Sequence, residues 1–208
     1  MKILVYGDST SVLWHPLEGM EPWAESLRAA GHEVTMSEAY PEVTLELLSQ
    51  YDVCVCYIDN WANRGSQEAA DIFCQYVAEG GKMLSIHNGI IVKSAENFLD
   101  MQGGSFNHHP EAEEIRFFGE EKEAGESLLK DFEAFVIKEE PYMFDMRATE
   151  KNIYLWYEYR GEAYPAAWTI QYGKGELVYI AVGHEARVAS HPMVQQLYNN
   201  GLAYLTRV

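Results

Sequence analysis

The sequence has little positive charge for its length. Its 208 residues include 15 Lys and Arg against 32 Asp and Glu, which gives a formal net charge of −17 at pH 7. Binding to nucleic-acid phosphates or to an anionic membrane surface depends on Lys and Arg side chains. We therefore expect no nucleic-acid partner and no membrane partner, and we interpret the acidic residues as a solvated surface.

Long apolar runs and cysteines are also scarce. No stretch approaches the roughly 20 apolar residues of a transmembrane helix, and the apolar segment Ile3 to Tyr6 is too short for a signal peptide. Of the three cysteines, Cys54 and Cys56 alternate within one apolar strand, which is a poor spacing for a disulfide. An odd count fits a reducing compartment. We expect a cytoplasmic protein whose thiols, Cys74 included, are buried and unreactive.

The sequence does contain a regular alternation of strands and helices. In its N-terminal half, apolar strands alternate with amphipathic helices, which predicts a parallel, doubly wound sheet with right-handed crossovers. The predicted strands there are 2–7, 32–38, 52–58 and 82–86, and the predicted helices end at Gly31, begin at Pro41 and cover 66–79. The second half predicts strands at 114–118, 134–137, 153–159, 165–172 and 176–182, a hairpin turn at 173–175 and a helix over 192–205. We expect a single α/β domain over 1–208 with a mostly parallel sheet and extra antiparallel strands in the C-terminal half.

Polar residues gather where the predicted strands end. In open α/β sheets, ligands bind outside the carboxyl ends of the strands, so these residues form a candidate site. They are Asp8 and His15, Asn60 and Trp61, His87 and Asn88, and His184. Asp8 and Asn60 could orient hydroxyl groups, and the Trp61 ring suits stacking on a sugar. Structural alternatives stay open: His87 could be a core histidine bonded to a backbone carbonyl, and His184 could equally be structural. Asp8 could cap a loop or a helix, and Trp61 could be only a hydrophobic lid.

The stretch GGSFNHHP, residues 103–110, combines two glycines with two histidines. The glycines permit an irregular loop, and the histidines bring imidazoles to it. The spacing is not a known zinc pattern such as HExxH or CxxC, so local hydrogen bonding is the more ordinary interpretation. We keep His109 as a candidate substrate-binding residue.

Several motifs taken together resemble the trehalose-utilisation (ThuA-like) family. They are HNG at 87–89, GGSF at 103–106 with the following HP at 109–110, PAAWT at 165–169, YGKG at 172–175 and GHE at 183–185. The segment EEPY at 139–142 is similar to the family's acidic-Glu-x-Tyr segment. The similarity covers roughly residues 50 to 208 and, more loosely, the first strand. It implies the fold of the class I glutamine amidotransferase superfamily, a flavodoxin-like sheet.

The resemblance also implies chemistry on sugars rather than on glutamine. In amidotransferases the turn after this strand carries a cysteine nucleophile, whereas here it carries His87. The family context implies an enzyme of carbohydrate catabolism that acts on a disaccharide, a glycoside or an oxidised sugar. His87, His184 and Glu140 are the candidate catalytic residues, either as general acid/base groups or as ligands of a single divalent metal. Asn88 and Tyr142 join the candidate substrate-binding residues.

Two further alternatives stay open. A non-catalytic sugar-binding or regulatory module would keep the fold and bind a small-molecule carbohydrate without turnover. The aromatic-rich second half could supply a homo-oligomer interface, although a core or a β-layer packed on the main sheet is the simpler interpretation. The cofactor stays unknown, with a single divalent metal as the one candidate.

Overall fold

The computed structural model describes residues 1–7, 14–39, 42–58, 66–90, 95–120 and 125–207. The strands in these ranges are β1 (Lys2–Gly7), β2 (Glu33–Ser37), β3 (Val53–Tyr57), β4 (Lys82–Ile86), β5 (Gly104–His108), β6 (Glu113–Gly119), β7 (Phe135–Glu139), β8 (Met143–Met146), β9 (Asn152–Tyr159), β10 (Glu162–Tyr172) and β11 (Gly175–Ile180). The α-helices are α1 (Glu21–Ala29), α2 (Leu45–Leu48), α3 (Ser66–Ala78), α4 (Glu96–Gln102), α5 (Gly125–Leu128), α6 (Ala186–Ala189) and α7 (Pro192–Leu205). None of the described helices is long and apolar enough to cross a membrane.

Nine of these strands form one mixed sheet in the order β2-β1-β3-β4-β11-β10-β9-β6-β7. Strands β2, β1, β3, β4 and β11 are parallel to one another. From β11 onward, each strand pairs antiparallel with the next. The prediction of an α/β fold with antiparallel strands in the C-terminal half is confirmed, but the sheet is not mostly parallel, since four of its eight strand pairings are antiparallel. Parallel neighbours need a crossover of a dozen or more residues, whereas two-residue turns join β9 to β10 and β10 to β11.

Two apolar clusters cover the two faces of the sheet. Alternate residues of a strand point to opposite faces, so Ile3 and Val5 of β1 lie in one cluster and Leu4 and Tyr6 in the other. Helices α1 and α7 contribute to the first cluster, and α3 and α4 to the second. Both faces of the parallel strands are therefore covered, and polar side chains gather at the strand ends.

Two local predictions were wrong. The stretch expected to be an irregular loop forms β5, which pairs antiparallel with β8 in a separate two-stranded sheet. The helix expected to begin at Pro41 begins instead at Leu45, because the Thr44 side chain accepts the Leu47 N–H and caps it there. Pro41 itself lies outside the described residues.

The aromatic residues of the second half lie mainly in the core. Tyr154, Tyr157, Tyr159 and Trp168 are all buried within the chain. The interpretation as core is thereby confirmed for these four rings, whereas Trp156 and Tyr164, the other two of the set, are half-buried. A homo-oligomer stays a prediction, and these four rings would not form its surface.

Candidate functional site

The candidate site lies beyond the carboxyl ends of β4 and β11. His87 follows directly after β4 and has a backbone φ of 45°. This left-handed conformation is uncommon for a residue with a Cβ and turns the chain sharply into the 3-10 turn His87–Ile90. After β11 the chain reaches Gly183, with a φ of 152°, and then His184. The two neighbouring parallel strands thus present a histidine at the same edge of the sheet.

The His87 ring is buried in one defined tautomer. Its side chain is 0% exposed, and Nδ1 lies 2.6 Å from the carbonyl oxygen of Ala181. A carbonyl oxygen only accepts hydrogen bonds, so Nδ1 carries the proton and Nε2 keeps its lone pair. Burial lowers the pKa of His87 to about 3, which leaves the ring neutral near pH 7. The carbonyl bond expected of a core histidine is therefore present, but it accounts for only one of the two ring nitrogens.

Glu140 joins three histidines into one cluster. Its Oε2 lies 3.5 Å from His87 Nε2 and 3.2 Å from His184 Nδ1. His184 Nδ1 also lies 3.0 Å from His15 Nε2, within hydrogen-bond distance. One potential ligand atom from each of the four residues lies within 4.8 Å of the others. We refer to His15, His87, Glu140 and His184 as the histidine–glutamate cluster.

The charges in this cluster keep Glu140 ionised and give His87 and His184 different pKa values. Burial raises the pKa of Glu140, but the neighbouring His184 and His87 side chains outweigh this effect and hold it well below its usual range. The Glu140 carboxylate in turn raises the pKa of His184 more than burial lowers it. His87 is thus a neutral imidazole with a lone pair, whereas His184 holds a proton more readily than a free histidine does. Such a set can transfer protons or hold a cation.

Glu139 positions the cluster, and the sequence interpretation did not include it among the site residues. Its Oε2 accepts the backbone N–H groups of Gly183 at 3.0 Å and His184 at 3.1 Å, and its Oε1 accepts that of Glu140 at 2.8 Å. Burial raises the pKa of this carboxyl to about 7. The alternation of β7, which places Glu139 on the same face as Ile137, is the sequence signal that could have identified it.

Buried tyrosine hydroxyls donate hydrogen bonds to backbone carbonyls at and near His87 and His184. Tyr57 donates to the carbonyls of Gly183 at 3.0 Å and His184 at 3.2 Å. Tyr179 donates to the His87 carbonyl at 2.9 Å, and Tyr198 donates to that of Val182 at 2.7 Å. A tyrosine within an apolar run predicts core packing, so no sequence signal separates these hydroxyls from ordinary core residues.

The other predicted residues are placed as follows. The Tyr142 ring packs on His87 with centroids 4.0 Å apart, and His109 Nε2 lies 3.6 Å from Glu140 Oε1. Asn88 is fully buried and donates to the Tyr57 carbonyl at 2.9 Å. Three predicted residues lie outside the described part of the chain: Asp8, Asn60 and Trp61. The substrate-binding roles of all of them stay predictions.

A cavity of about 420 Å³ opens beside the cluster. Its lining residues are Ala112, Lys138, Glu139, His184, Glu185 and Arg187. This volume is in the range of small-molecule sites. A second cavity, of about 330 Å³, includes Lys82 in its lining and lies at the opposite end of β4 from His87. Of these two cavities, only the first has a residue of the cluster, His184, in its lining.

The fold and the cluster define an α/β protein with a histidine–carboxylate centre at the carboxyl edge of its parallel strands. The model of the ThuA family, described as trehalose utilisation, matches residues 2–205. The chain belongs to the ThuA family. The resemblance seen in the sequence motifs is thereby confirmed.

Solved structures share this fold at low sequence identity. A ThuA-like protein of Bacteroides uniformis is 16% identical with a TM-score of 0.76, over 98% of this chain and 90% of that one. A cytoplasmic protein of Salmonella typhimurium is 16% identical with a TM-score of 0.74, over 100% of both chains. A cold-adapted β-galactosidase of Rahnella sp. R3 is 13% identical with a TM-score of 0.67, over 97% of this chain but 30% of that one. A comparison with curated proteins finds no significant match.

Proposed function

We propose that this ThuA-family protein is an enzyme of carbohydrate catabolism and that the histidine–glutamate cluster is its reaction centre. The observation that carries the proposal is the buried approach of His87 Nε2 to Glu140 Oε2, 3.5 Å apart. It occurs at the carboxyl edge of parallel strands, where α/β enzymes bind their ligands. The family's description as trehalose utilisation supports a sugar substrate. A disaccharide, a glycoside and an oxidised sugar are the substrates that the proposal covers.

The surroundings of the cluster support a polyhydroxyl ligand. Charged side chains dominate the lining of the cavity beside His184, among them Lys138, Glu185 and Arg187, and these can hydrogen-bond to sugar hydroxyls. Trp14, next to His15 in the chain, is 73% exposed and offers a large ring for stacking on a sugar face. The fold also recurs in part of a β-galactosidase.

Two finer assignments belong to the same proposal. The parallel order β2-β1-β3-β4-β11 supports a flavodoxin-like classification, since that fold has the order 2-1-3-4-5. The relative from Salmonella typhimurium, named as a cytoplasmic protein, supports a cytoplasmic location.

The proposal is tested by a thermal-shift screen against mono- and disaccharides and their oxidised derivatives, followed by product analysis of every hit. We expect at least one sugar to be converted. In the variants Glu140→Gln and His184→Gln, kcat/KM should fall by about 100-fold or more, the usual contribution of a positioned acid or base. Glu133→Gln is the matched control, because Glu133 is exposed and donates its backbone N–H to Met193 away from the cluster.

Two results would contradict the proposal. Saturable binding of sugars without any product would favour the non-catalytic binding module. Turnover at the parental rate in both Glu140→Gln and His184→Gln would remove the cluster from the reaction.

A further inference from the structure

We propose that the histidine–glutamate cluster binds one divalent first-row transition-metal ion of the Zn²⁺ type, with His15, His87, Glu140 and His184 as its ligands. The inference deepens the proposed function and rests on it only for the catalytic use of the ion. Metal binding itself follows from the geometry of the four side chains and is measurable without a substrate.

The carrying observation is a pair of buried acceptor atoms that face each other. Among the residues that the structure describes, neither His87 Nε2 nor Glu140 Oε2 makes a well-aligned hydrogen bond, although the two atoms are only 3.5 Å apart and Glu140 Oε2 also lies 3.2 Å from His184 Nδ1. The His87 proton lies on Nδ1, where it is donated to Ala181, so none stands between the two acceptors. Buried polar atoms left without a partner are costly, and here both offer a lone pair. A cation between them satisfies both.

A metal ion would use the side chains as they stand. His87 offers the lone pair of Nε2, because its ring proton lies on Nδ1, and Glu140 offers the carboxylate oxygen that faces it.

The spacing of the four side chains suits a single ion. Ligand atoms about 2.0–2.1 Å from a tetrahedral zinc ion lie roughly 3.3 Å from one another. In the cluster the measured separations are 3.5 Å for His87–Glu140, 3.2 Å for His184–Glu140 and 3.0 Å for His15–His184. All four atoms lie within 4.8 Å of one another. Small side-chain adjustments would therefore bring them onto one ion.

The donor set indicates which ions are favoured. Three imidazoles and one carboxylate suit Zn²⁺, Co²⁺, Ni²⁺ or Fe²⁺, whereas Ca²⁺ and Mg²⁺ prefer an all-oxygen set. The surroundings also orient the ligands as metal sites require. Ala181 fixes the tautomer of His87, and Glu139 holds the backbone of both Glu140 and His184.

The test is a titration of the full chain after chelator treatment and dialysis. Calorimetry with Zn²⁺ and absorption with Co²⁺ should both show one equivalent bound per chain. Loss of a ligand should weaken Zn²⁺ binding by at least the ~10–100-fold seen when outer-shell partners are removed, and this is expected for Glu140→Gln and His184→Gln. His108→Gln and Glu133→Gln are the matched controls, since both residues are exposed and outside the cluster. Circular dichroism and melting curves verify that each variant is folded.

The outcomes separate this inference from the proposed function. Zn²⁺ binding that is weakened in Glu140→Gln and unchanged in His108→Gln supports the site, whether or not a sugar is converted. Parental affinity in both cluster variants, or no binding by the stripped parent protein, overturns it. Sugar turnover by the fully stripped protein would overturn the catalytic use of the ion and leave the proposed function standing. Metal binding without turnover of any sugar would contradict the proposed function alone.

Discussion

At the scale of single residues, His87 combines two features that only its surroundings can sustain. It is fully buried, and its φ of 45° lies in a region that residues with a Cβ seldom occupy. Strained backbone of this kind persists where neighbouring groups hold it, and it is found disproportionately at functional sites. Here the Tyr179 hydroxyl holds its carbonyl and Ala181 holds its ring. The position of Nε2 is therefore set before any ligand arrives.

Gly183 is the residue whose replacement should disturb this arrangement most. A Cβ at this position would lie 2.5 Å from the Tyr198 hydroxyl and 2.8 Å from Ile86 Cγ2, at a φ of 152°. We expect Gly183→Ala to lower the free energy of unfolding by about 2–6 kcal/mol, because backbone strain and overpacking each cost roughly 1–3 kcal/mol. Urea denaturation measures the change.

Gly161→Ala is the control for Gly183→Ala. Gly161 also has a positive φ, of 81°, but no atom lies within 4 Å of an added Cβ. This variant introduces the backbone strain without the steric contact. It should therefore lower the free energy of unfolding by less, roughly 1 kcal/mol. Equal losses in the two variants would show that the contacts with Tyr198 and Ile86 do not matter.

At the scale of secondary structure, the sequence predicts elements well where apolar periodicity is strong and local. The strand predicted at 82–86 and the helix predicted at 192–205 agree with β4 and α7. β5 and β8 were not predicted, because each is short and is stabilised by pairing with the other across nearly forty residues of chain. The direction of pairing from β11 onward likewise depends on long-range partners rather than on composition.

The same distinction between local and long-range information applies to the site. Strand ends and motif similarity led to His87, His184 and Glu140, and the structure brings these three together with His15. The alternation of β7 could have marked Glu139 as an inward-facing residue, but its role was not predictable, because it consists of hydrogen bonds to residues about 45 positions away in the chain. Such partners follow from the tertiary fold and not from spacing.

A group of ion pairs links a residue just after α7 to two strands of the sheet. Glu176 of β11 pairs with Lys82 of β4 at 2.9 Å and with Arg207, just after α7, at 2.6 Å. Partial burial raises the pKa of Glu176, but hydrogen bonds from Lys82 and Arg207 outweigh this and lower it. We expect Glu176→Gln to lower the free energy of unfolding by about 1 kcal/mol at pH 7.

The pH dependence of this effect has a definite sign. Because the pKa of Glu176 is lower in the folded state, its contribution is present above the unfolded value of about 4.3 and is lost as the pH falls through the folded value. The difference in free energy of unfolding between the parent protein and Glu176→Gln should therefore become smaller as the pH is lowered. Glu158→Gln serves as control, because its partner Arg116 is 3.9 Å away and both side chains are about half exposed. An equal loss in both variants would contradict the role of partial burial.

At the scale of the whole molecule, the site depends on both halves of the sheet. The parallel half supplies His87 and His184 at the ends of β4 and β11, and the segment that follows β7 brings Glu140 over them. β7 is the last strand at the antiparallel edge. Removal of the antiparallel strands would thus leave the two histidines without their carboxylate.

The three thiols are buried and are therefore poorly suited to act as nucleophiles. All three cysteines are free and buried, and burial raises the pKa of Cys56 and of Cys74 to about 12 and that of Cys54 well above its usual value. Since the thiolate is the reactive form, we expect no rapidly reacting thiol in the native protein. Titration with Ellman's reagent at neutral pH should show negligible fast reaction in buffer and three equivalents in guanidinium chloride. One fast equivalent in the native state would contradict this burial and would reopen thiol chemistry for the protein.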